Sequence, residues 1–295
     1  MMSTPFKFLR VATPYVRALR GKVFVVKIGG DLLTDKDRRL HIFDQLGLLH
    51  GLGINHIVVH GGGPQITEEC ERRGLPIEIV NGRRITSPDV LDAAVKVLAG
   101  SLQAAMLADM RSLGLPAAGA SGIAAGLITA RRRAPVEVTV EGKPAKIDYG
   151  LVGDIETVDT SLLKYLVDGG IIPLVAPLGC TTDGCVLNIN ADTAAARIAS
   201  AMGAEKLIFL TRLPGILRDL TKEATLVPEL DLVGLEQLES EGVLGGGMLP
   251  KVAAIRTAID GGVASVHIVS GLSPDALLKE IFTNEGSGTM VKANA

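Results

Sequence analysis

The 295-residue chain has no tryptophan, and aromatic residues make up only 3% of it. Proteins that bind single-stranded nucleic acid usually present several aromatic rings on which the bases stack. The formal net charge is −2, with 30 basic and 32 acidic side chains mixed along the sequence. Such a balance gives no general attraction for nucleic acid or for an anionic membrane. We therefore expect neither nucleic acid nor a membrane as a partner. Small polar molecules remain as the expected ligands.

Cysteine is also scarce. Cys70, Cys180 and Cys185 form an odd set without paired metal-ligand spacing, which indicates reduced thiols in a reducing compartment. A disulfide or a metal site formed by Cys180 and Cys185 is the less favoured alternative. Basic residues interrupt the N-terminal segment, which lacks the apolar stretch of a secretory signal, and no apolar run is expected to reach membrane-spanning length. These features predict a cytoplasmic protein.

Short β-branched apolar runs alternate with stretches of helical periodicity, and 47% of the residues are apolar. This pattern predicts an α/β fold, a three-layer αβα sandwich with a mainly parallel central sheet. Strands are predicted at 22–28, 55–60, 171–176, 206–211 and 266–270, and helices at 35–52, 64–73, 88–114, 160–169, 190–202 and 247–262.

Residues 127–158 change to polar alternation, which predicts antiparallel hairpins forming a lid or an edge. A stretch rich in proline and glycine at 173–184 is the plausible boundary between two lobes over one sheet. The predicted organisation is an N-terminal segment 1–21, an N-terminal lobe 22–179 and a C-terminal lobe 180–295.

The strongest local signal is IVVHGGGPQI, in which an apolar strand ends in Gly61, Gly62 and Gly63 before a helix. Consecutive glycines let backbone N–H groups approach a phosphoryl group, and the helix N-terminus adds partial positive charge. A tight turn without a ligand is the alternative. In VVKIGG, Lys27 closes another apolar strand just before Gly29 and Gly30, at the sheet edge where open α/β folds bind ligands.

A third glycine turn, at 245–247, precedes a helix that carries Lys251. A fourth element, LNINADTAAA, places Asn188, Asn190 and Asp192 at the start of a small-residue helix, where simple N-capping is the alternative. Three glycine turns with two lysines predict a site that receives several negative charges, as ATP and an anionic substrate would bring. The spacing of a Walker loop or a protein-kinase glycine loop is missing.

The histidines do not suggest a catalytic base. His60 precedes the glycine turn, where buried packing at the strand end is expected, whereas His41, His50 and His56 are expected to be peripheral. No Ser/His/Asp or Cys/His triad is apparent from the order of residues.

Eight ordered blocks resemble the acetylglutamate kinases of the amino-acid-kinase family. They are RVATPYVRALRGKVFVVKIGG, VVHGGGPQI, NGRRIT, DYGLVGDI, NINADTAAA, LPGIL, GGGMLPKV and EIFTNEGSGTM, which together span nearly the whole chain. The resemblance implies ATP-dependent phosphorylation of the side-chain carboxylate of N-acetyl-L-glutamate to N-acetyl-L-glutamyl 5-phosphate, the second step of arginine biosynthesis. ATP and Mg²⁺ would be required, with the metal carried by ATP and not by protein ligands alone.

The resemblance also assigns roles to residues. Lys27 and Lys251 would stabilise charge on the transferred phosphoryl group, and Asp192 would organise the two lysines. Substrate binding would fall to Gly61, Gly62, Arg84 and Asn188, and Arg84 would hold the α-carboxylate. Nucleotide binding would fall to Gly29, Gly30, Thr211, Arg212, Gly215, Gly247 and Lys251.

The N-terminal segment resembles the extra helix of the arginine-inhibited members of this family. The resemblance implies a homo-oligomer, either a dimer or a hexamer built as a trimer of dimers, with L-arginine as a feedback inhibitor. The matching arginine-site positions are Tyr15, Lys206, His267, Glu280, Gly286 and Gly288. A terminal helix without this role is the alternative, and a PII-type regulator is a further partner that no residue supports.

Several positions depart from the family pattern. Arg212 stands where the family usually has aspartate, and Ile28 and Asp31 replace the usual tyrosine and asparagine of the first glycine turn. GIAA at 122–125 and SGL at 270–272 replace the family's GKD and DGR. Rival interpretations are a kinase for aspartate or an aminoadipate derivative, a catalytically weak or inactive arginine-sensing domain, and, least well supported, a dinucleotide-dependent oxidoreductase.

Overall fold

A computed structural model describes residues 5–140, 143–245 and 248–293, and residues 5–9 and 140 by their backbone alone. The strands are β1 (Val23–Ile28), β2 (Asn55–His60), β3 (Ile79–Val80), β4 (Arg83–Arg84), β5 (Ala117–Ser121), β6 (Ile128–Arg132), β7 (Val136–Val140), β8 (Lys143–Ile147), β9 (Gly153–Val158), β10 (Ile172–Ala176), β11 (Leu178–Cys180), β12 (Val186–Asn188), β13 (Lys206–Thr211), β14 (Glu229–Asp231), β15 (Ser265–Ser270) and β16 (Thr289–Lys292). The helices are α1 (Pro5–Leu19), α2 (Lys36–Gly51), α3 (Gly63–Arg72), α4 (Pro88–Lys96), α5 (Leu102–Ser112), α6 (Ser161–Asp168), α7 (Ala191–Met202), α8 (Leu232–Ser240), α9 (Leu249–Asp260) and α10 (Ala276–Phe282).

An eight-stranded sheet in the order β14-β16-β15-β13-β1-β2-β10-β5 forms the centre of the fold. Its neighbours pair in parallel except β15 and β16, which are antiparallel. Successive side chains of a strand point to opposite faces, so Val26 of β1 joins one buried cluster and Val25 the other. One cluster is covered by α1–α5 and α10, the other by α6–α9. The predicted α/β class with a mainly parallel sheet is confirmed.

The predicted strands are all present with ends shifted by at most one residue. Three further strands of the central sheet were not predicted, and each has a physical reason. β5 has the sequence AAGAS, in which small residues give no β-branched signal, and β14 and β16 are short and mixed in polarity near one end of the sheet.

Residues 128–158 form antiparallel pairs as predicted: β6 pairs with β9, and β7 pairs with β8. β6 and β9 continue into a four-stranded sheet with β11 and β12. A two-stranded ladder, β3 and β4, carries Arg84 toward the first glycine turns. These small sheets therefore bring the NGRRIT and NINAD segments to the same end of the central sheet.

A π-helical turn, Val97–Ser101, joins α4 to α5. The stretch Pro88–Ser112 is 25 residues long and includes an 18-residue window with a mean hydropathy of 1.5, so it is long and apolar enough to cross a bilayer. The expectation that no apolar run reaches that length is therefore wrong. Val90, Leu98 and Met106 are buried in the core, as in the central helix of a soluble protein, so the stretch is weak evidence for a membrane span.

The structure also tests the expectations about the histidines and the cysteines. His60 is fully buried at the end of β2, as predicted, but His56 is only 2% exposed, so its assignment as peripheral is wrong. The alternation of β2 turns residues 56, 58 and 60 to the same face, where α2 covers them. The three cysteines are free thiols.

Candidate active site

The carboxyl ends of β1 and β2 bring the first two glycine turns into direct backbone contact. A Cβ atom on Gly30 would lie 2.8 Å from the Gly62 nitrogen, and one on Gly61 would lie 3.0 Å from the Gly30 nitrogen. Only glycine permits this approach. A cavity of about 440 Å³ opens over the two turns and is lined by both of them and by Lys27, Arg84 and Asn188.

Backbone donors face this cavity. The N–H of Gly61 bonds to Ile28 O at 2.8 Å and closes the turn, whereas no partner is found for the N–H groups of Gly30 and Gly62 within the described ranges. Gly62 caps α3, and the first helical residues Gly63 and Pro64 leave that helix end open toward the cavity. Free N–H groups and a helix N-terminus together form an anion-binding surface.

Two lysines converge on one carboxylate beside the glycine turns. Lys27 Nζ lies 2.8 Å from Asp192 Oδ1, an ion pair whose angles fall short of a hydrogen bond, and Lys251 Nζ donates to Asp192 Oδ2 at 3.0 Å. Lys251 also lies 4.5 Å from the centre of the Phe209 ring on β13. All three charged side chains are about nine-tenths buried. Residues distant in sequence thus form one charged cluster with a net positive charge.

Local sequence explains where Asp192 lies. Asn190 caps α7 by accepting the Thr193 N–H at 3.0 Å, which places Asp192 in the first turn of that helix. Burial alone would raise the pKa of Asp192, but the charges of Lys27 and Lys251 hold it well below its usual range. Burial lowers the pKa of Lys251, and the attraction of Asp192 works against that shift. N-capping and a charged site are therefore both present, not alternatives.

Arg84 and Asn188 also line the cavity. Arg84 Nη2 donates to Thr67 Oγ1 at 2.6 Å and to Gly63 O at 3.1 Å, whereas its Nη1 is buried without a partner in the described part of the chain. Burial lowers the pKa of Arg84. Asn188 Nδ2 donates to Thr86 Oγ1 at 3.3 Å, which fixes its amide beside the same opening. A guanidinium fixed on one side with an unused donor on the other is suited to an anion.

Arg83 also lines the cavity, and sequence analysis did not single it out. Burial lowers the pKa of Arg83, and repulsion from Arg133 lowers it further. The signal was present as the first arginine of NGRRIT, but only the β3–β4 turn, which brings Gly82 and both arginines to the opening, shows that the pair lies there.

The predicted nucleotide-binding residues are not all gathered in this cavity. Gly29 and Gly30 line it, whereas Thr211 hydrogen-bonds Leu213 O at 2.7 Å in the loop after β13. Arg212 is exposed, with its Nε 3.9 Å from Asp31 Oδ2. Gly215 packs against Thr289, and a Cβ added at Gly215 would clash with Thr289 Oγ1. Gly247 lies outside the described residues.

A second polar cluster lies away from the cavity and unites most of the predicted arginine-site positions. His267 Nδ1 lies 2.7 Å from Glu280 Oε1, and its Nε2 lies 3.0 Å from Lys206 Nζ and 2.9 Å from Ser265 Oγ. Glu280 Oε2 accepts the N–H groups of Ser287 and Gly288 at 2.7 and 3.0 Å. Burial lowers the pKa of His267, so the neutral ring donates from Nδ1 to Glu280.

The remaining two positions flank that cluster. Gly286 has a φ of +64°, and a Cβ there would lie 2.8 Å from Glu280 Oε2. The Tyr15 hydroxyl of α1 donates to the Asn284 side chain. Ser265, His267 and Glu280 have the order of contacts of a hydrolase triad, which sequence analysis missed. Ser265 is buried and Lys206 shares the same histidine nitrogen, so the serine is not placed as a nucleophile.

Comparison with known proteins agrees with this fold. Residues 22–270 match the amino acid kinase family, and the chain belongs to that family. A curated acetylglutamate kinase of Myxococcus xanthus is 52% identical over 97% of this chain and 94% of its own length.

Two solved structures of the N-acetylglutamate synthase of Neisseria gonorrhoeae extend the comparison. The complex with coenzyme A and N-acetyl-glutamate has 28% identity and a TM-score of 0.84 over 99% of this chain, and this chain spans 64% of that synthase. The complex with coenzyme A and L-arginine has 27% identity and a TM-score of 0.81, over 100% of this chain and 66% of the other.

Proposed function

We propose that this enzyme transfers the γ-phosphoryl group of ATP to the side-chain carboxylate of N-acetyl-L-glutamate, as the relative from Myxococcus xanthus is named for doing. The observation that carries the proposal is the convergence of Lys27 and Lys251 on the buried Asp192, beside two glycine turns in which the N–H groups of Gly30 and Gly62 have no partner among the described residues. The product would be N-acetyl-L-glutamyl 5-phosphate, an intermediate of arginine biosynthesis.

The charges of this site match the chemistry of phosphoryl transfer to a carboxylate. A glutamate-type carboxylate has a pKa of about 4.3, so the acceptor is already an anion at neutral pH and needs no general base. The barrier lies in bringing two anions together and in stabilising the charge of the transferred group. Lys27 and the N–H groups of Gly30 and Gly62 would act on the acceptor side, and Lys251 on the nucleotide side.

Asp192 would hold the two ammonium groups at a fixed separation without touching the reacting atoms. Mg²⁺ bound to ATP would neutralise part of the polyphosphate charge. Lys27, Asp192 and Lys251 are therefore proposed as the catalytic set.

The acceptor would be fixed through its α-carboxylate. Arg84 Nη1 is a buried donor without a partner among the described residues, and an α-carboxylate beside Gly63 would satisfy it. Asn188 would hydrogen-bond the acylated amine side of the substrate. We propose that the nucleotide binds along Gly29, Gly30, Thr211 and Arg212. Gly215 would act indirectly, by supporting the loop that carries Thr211 and Arg212.

The test is an assay of ATP with N-acetyl-L-glutamate in which hydroxylamine traps the acyl phosphate. Aspartate and an aminoadipate derivative serve as competing acceptors. We expect hydroxamate from N-acetyl-L-glutamate and a much lower kcat/KM for the other two. If only another acceptor gave hydroxamate, that acceptor would be assigned as the substrate instead. Failure to bind ATP would favour the arginine-sensing alternative.

Arginine inhibition is a further part of the proposal, supported by the cluster of Lys206, His267 and Glu280 and by the arginine complex of the Neisseria synthase. Glu280 presents a buried carboxylate to which a guanidinium could bind. We expect Glu280→Gln to raise the arginine concentration for half inhibition at least tenfold with kcat unchanged. Glu229→Gln, in an exposed pair with Lys292, is the control. Equal inhibition of both variants would remove this site from the proposal.

The lobes 22–179 and 180–295 are proposed to bind the amino acid and ATP, respectively, and α1 to mediate oligomerisation. Within α1, Ala12 and Leu19 are buried, whereas Val11 is 49% exposed and available to a partner helix. Deleting residues 1–20 should reduce a hexamer to dimers in sedimentation velocity and remove arginine inhibition. An unchanged sedimentation coefficient would contradict this role.

A further inference from the structure

We propose that His60 is a positioning residue for phosphoryl transfer, because its Nδ1–H holds the carbonyl of Gly61 and thereby aims the N–H of Gly62 into the cavity. The inference rests on the proposed kinase function, in which that N–H stabilises negative charge. It assigns a role to a side chain that touches neither substrate nor nucleotide.

The geometry begins with one hydrogen bond. His60 Nδ1 lies 3.1 Å from Gly61 O, and the ring is completely buried at the end of β2. A carbonyl oxygen only accepts, so the proton of this contact must be on Nδ1. The neutral ring then carries no proton on Nε2, and Nε2 is buried without a partner in the described ranges. One tautomer is therefore selected by the fold.

The ring is also held neutral. Burial lowers the pKa of His60 to about 4, and its bond to Gly61 opposes that shift only in part. A charged imidazolium would place a proton on Nε2, where it would meet no acceptor. His60 is thus a permanent single donor at neutral pH, which separates it from a general acid or base.

The peptide bond transmits this contact to the site. In a trans peptide, C=O and N–H point in opposite directions, so fixing the Gly61 carbonyl toward His60 fixes the Gly62 N–H away from it. Gly62 lines the cavity, and its N–H has no partner among the described residues. A peptide between two glycines has no side chain to resist rotation. The imidazole donor supplies the restraint that the glycine sequence lacks.

The opposite turn has a comparable restraint, which supports this interpretation. Gln65 Nε2 donates to Gly30 O at 2.8 Å, so a side-chain amide holds a carbonyl of the first glycine turn. Both glycine turns therefore have one carbonyl fixed by a side-chain donor, and the N–H that shares its peptide bond belongs to Asp31 in the first turn and to Gly62 in the second.

The chain provides a matched control for the test. His56 lies four residues earlier on β2, is 2% exposed, contacts Ile54 O through Nδ1 at 3.3 Å, and has an Nε2 without a partner in the described part of the chain. Its pKa is also lowered to about 4 by burial. It differs from His60 chiefly in lying at the start of the strand, away from the cavity.

The experiment compares His60→Leu, His60→Asn and His56→Leu by steady-state kinetics in the hydroxamate assay. Asparagine places an N–H donor at the same distance from Cβ as Nδ1 and should restore the bond. We expect His60→Leu to lower kcat about tenfold or more with less than a threefold change in the KM of the acceptor, because removal of an oxyanion donor itself costs about 10²–10³-fold. His60→Asn should recover most of kcat, and His56→Leu should retain it.

A second measurement does not depend on activity or on the folding of the leucine variant. The ¹⁵N chemical shifts of the His60 ring in the wild-type protein should show protonated Nδ1 and bare Nε2 from pH 6 to 8. A ring protonated at Nε2, or an unchanged kcat in a folded His60→Leu variant, would overturn the inference. Absence of hydroxamate from the wild-type enzyme would instead refute the proposed function while the ring spectrum still tests the hydrogen bond.

Discussion

Lys27 and Asp192 form an ion pair of 2.8 Å that joins the end of the central strand β1 to the first turn of α7. The other carboxylate oxygen of Asp192 accepts from Lys251 on α9, so a single side chain sets the spacing of two ammonium groups. Because all three are largely buried, their charges are poorly screened by water. The cluster has one uncompensated positive charge for an anionic ligand.

We predict that Asp192→Asn lowers kcat at least 10²-fold, because the two lysines repel each other once the carboxylate is neutral. The control is Asp109→Asn, since Asp109 pairs with Arg39 at 2.7 Å and is equally buried but lies outside the cavity. Loss of one partner of a buried pair costs about 3–5 kcal/mol, so both variants should unfold at lower denaturant concentration. Only Asp192→Asn should lose kcat; a parallel loss in both would indicate a structural effect alone.

The pH dependence of kcat should have an alkaline limb from Lys251. Burial lowers the pKa of this lysine, so its ammonium loses a proton below the ordinary lysine value of about 10.4. Deprotonation removes a positive charge, and kcat should therefore fall as pH rises through the lowered pKa. Lys251→Arg should be slower but lack this limb, since a guanidinium does not titrate there. Lys22→Arg, in an exposed pair with Glu205, should keep it. If the fall of kcat at high pH persists in Lys251→Arg, a group other than Lys251 causes it.

The contact between the two glycine turns should tolerate no side chain. A Cβ on Gly30 would lie 2.8 Å from the Gly62 nitrogen, and rigid backbone on both sides prevents relief. We expect Gly30→Ala to reduce kcat/KM about 10²-fold. Gly63→Ala is matched in position, because Gly63 lines the same cavity but an added Cβ there would meet nothing within 4 Å. Equal losses in both variants would mean that the crowding is unimportant.

Much of the fold could be predicted from sequence because the central strands carry a strong local signal. VFVVKI in β1 is apolar except for Lys27, and this lysine together with the glycines that follow the strand indicated a site at the sheet edge. The strand AAGAS in β5 has no such signal. It becomes a strand through its pairing with β10, which is distant in sequence. Local propensity does not include partners that are distant in sequence.

The site was predictable in its charges but not in its contacts. Lys27, Asp192 and Lys251 were identified through motifs, yet their convergence depends on the packing of α7 against α9 and of α7 beside β1. His56 and His60 lie on one strand with similar apolar neighbours, and sequence could not show that only the carbonyl held by His60 belongs to a turn lining the cavity. Arg83 was missed because the hairpin that turns it to the opening is only six residues long, from Ile79 to Arg84.

The last prediction concerns Asp31 and Arg212, two positions that depart from the family pattern at the mouth of the cavity. Asp31 lines the cavity, and its Oδ2 lies 3.9 Å from Arg212 Nε, with 38% and 70% of the side chains exposed. An exposed pair at this distance contributes little to stability. Its charges nevertheless lie where polyphosphate is proposed to approach, so their effect should appear in ATP binding.

We expect Asp31→Asn to lower the KM for ATP about two- to fivefold and Arg212→Ala to raise it by a similar factor, which corresponds to about 0.5–1 kcal/mol of screened Coulomb energy. The double variant should return near the wild-type KM because the two changes have opposite sign. Raising the ionic strength from 0.01 to 0.5 M should reduce both single effects. Lys292→Ala, from an exposed pair with Glu229, should leave the KM unchanged. An Arg212→Ala enzyme with a wild-type KM at low salt would show that Arg212 acts only within its own loop.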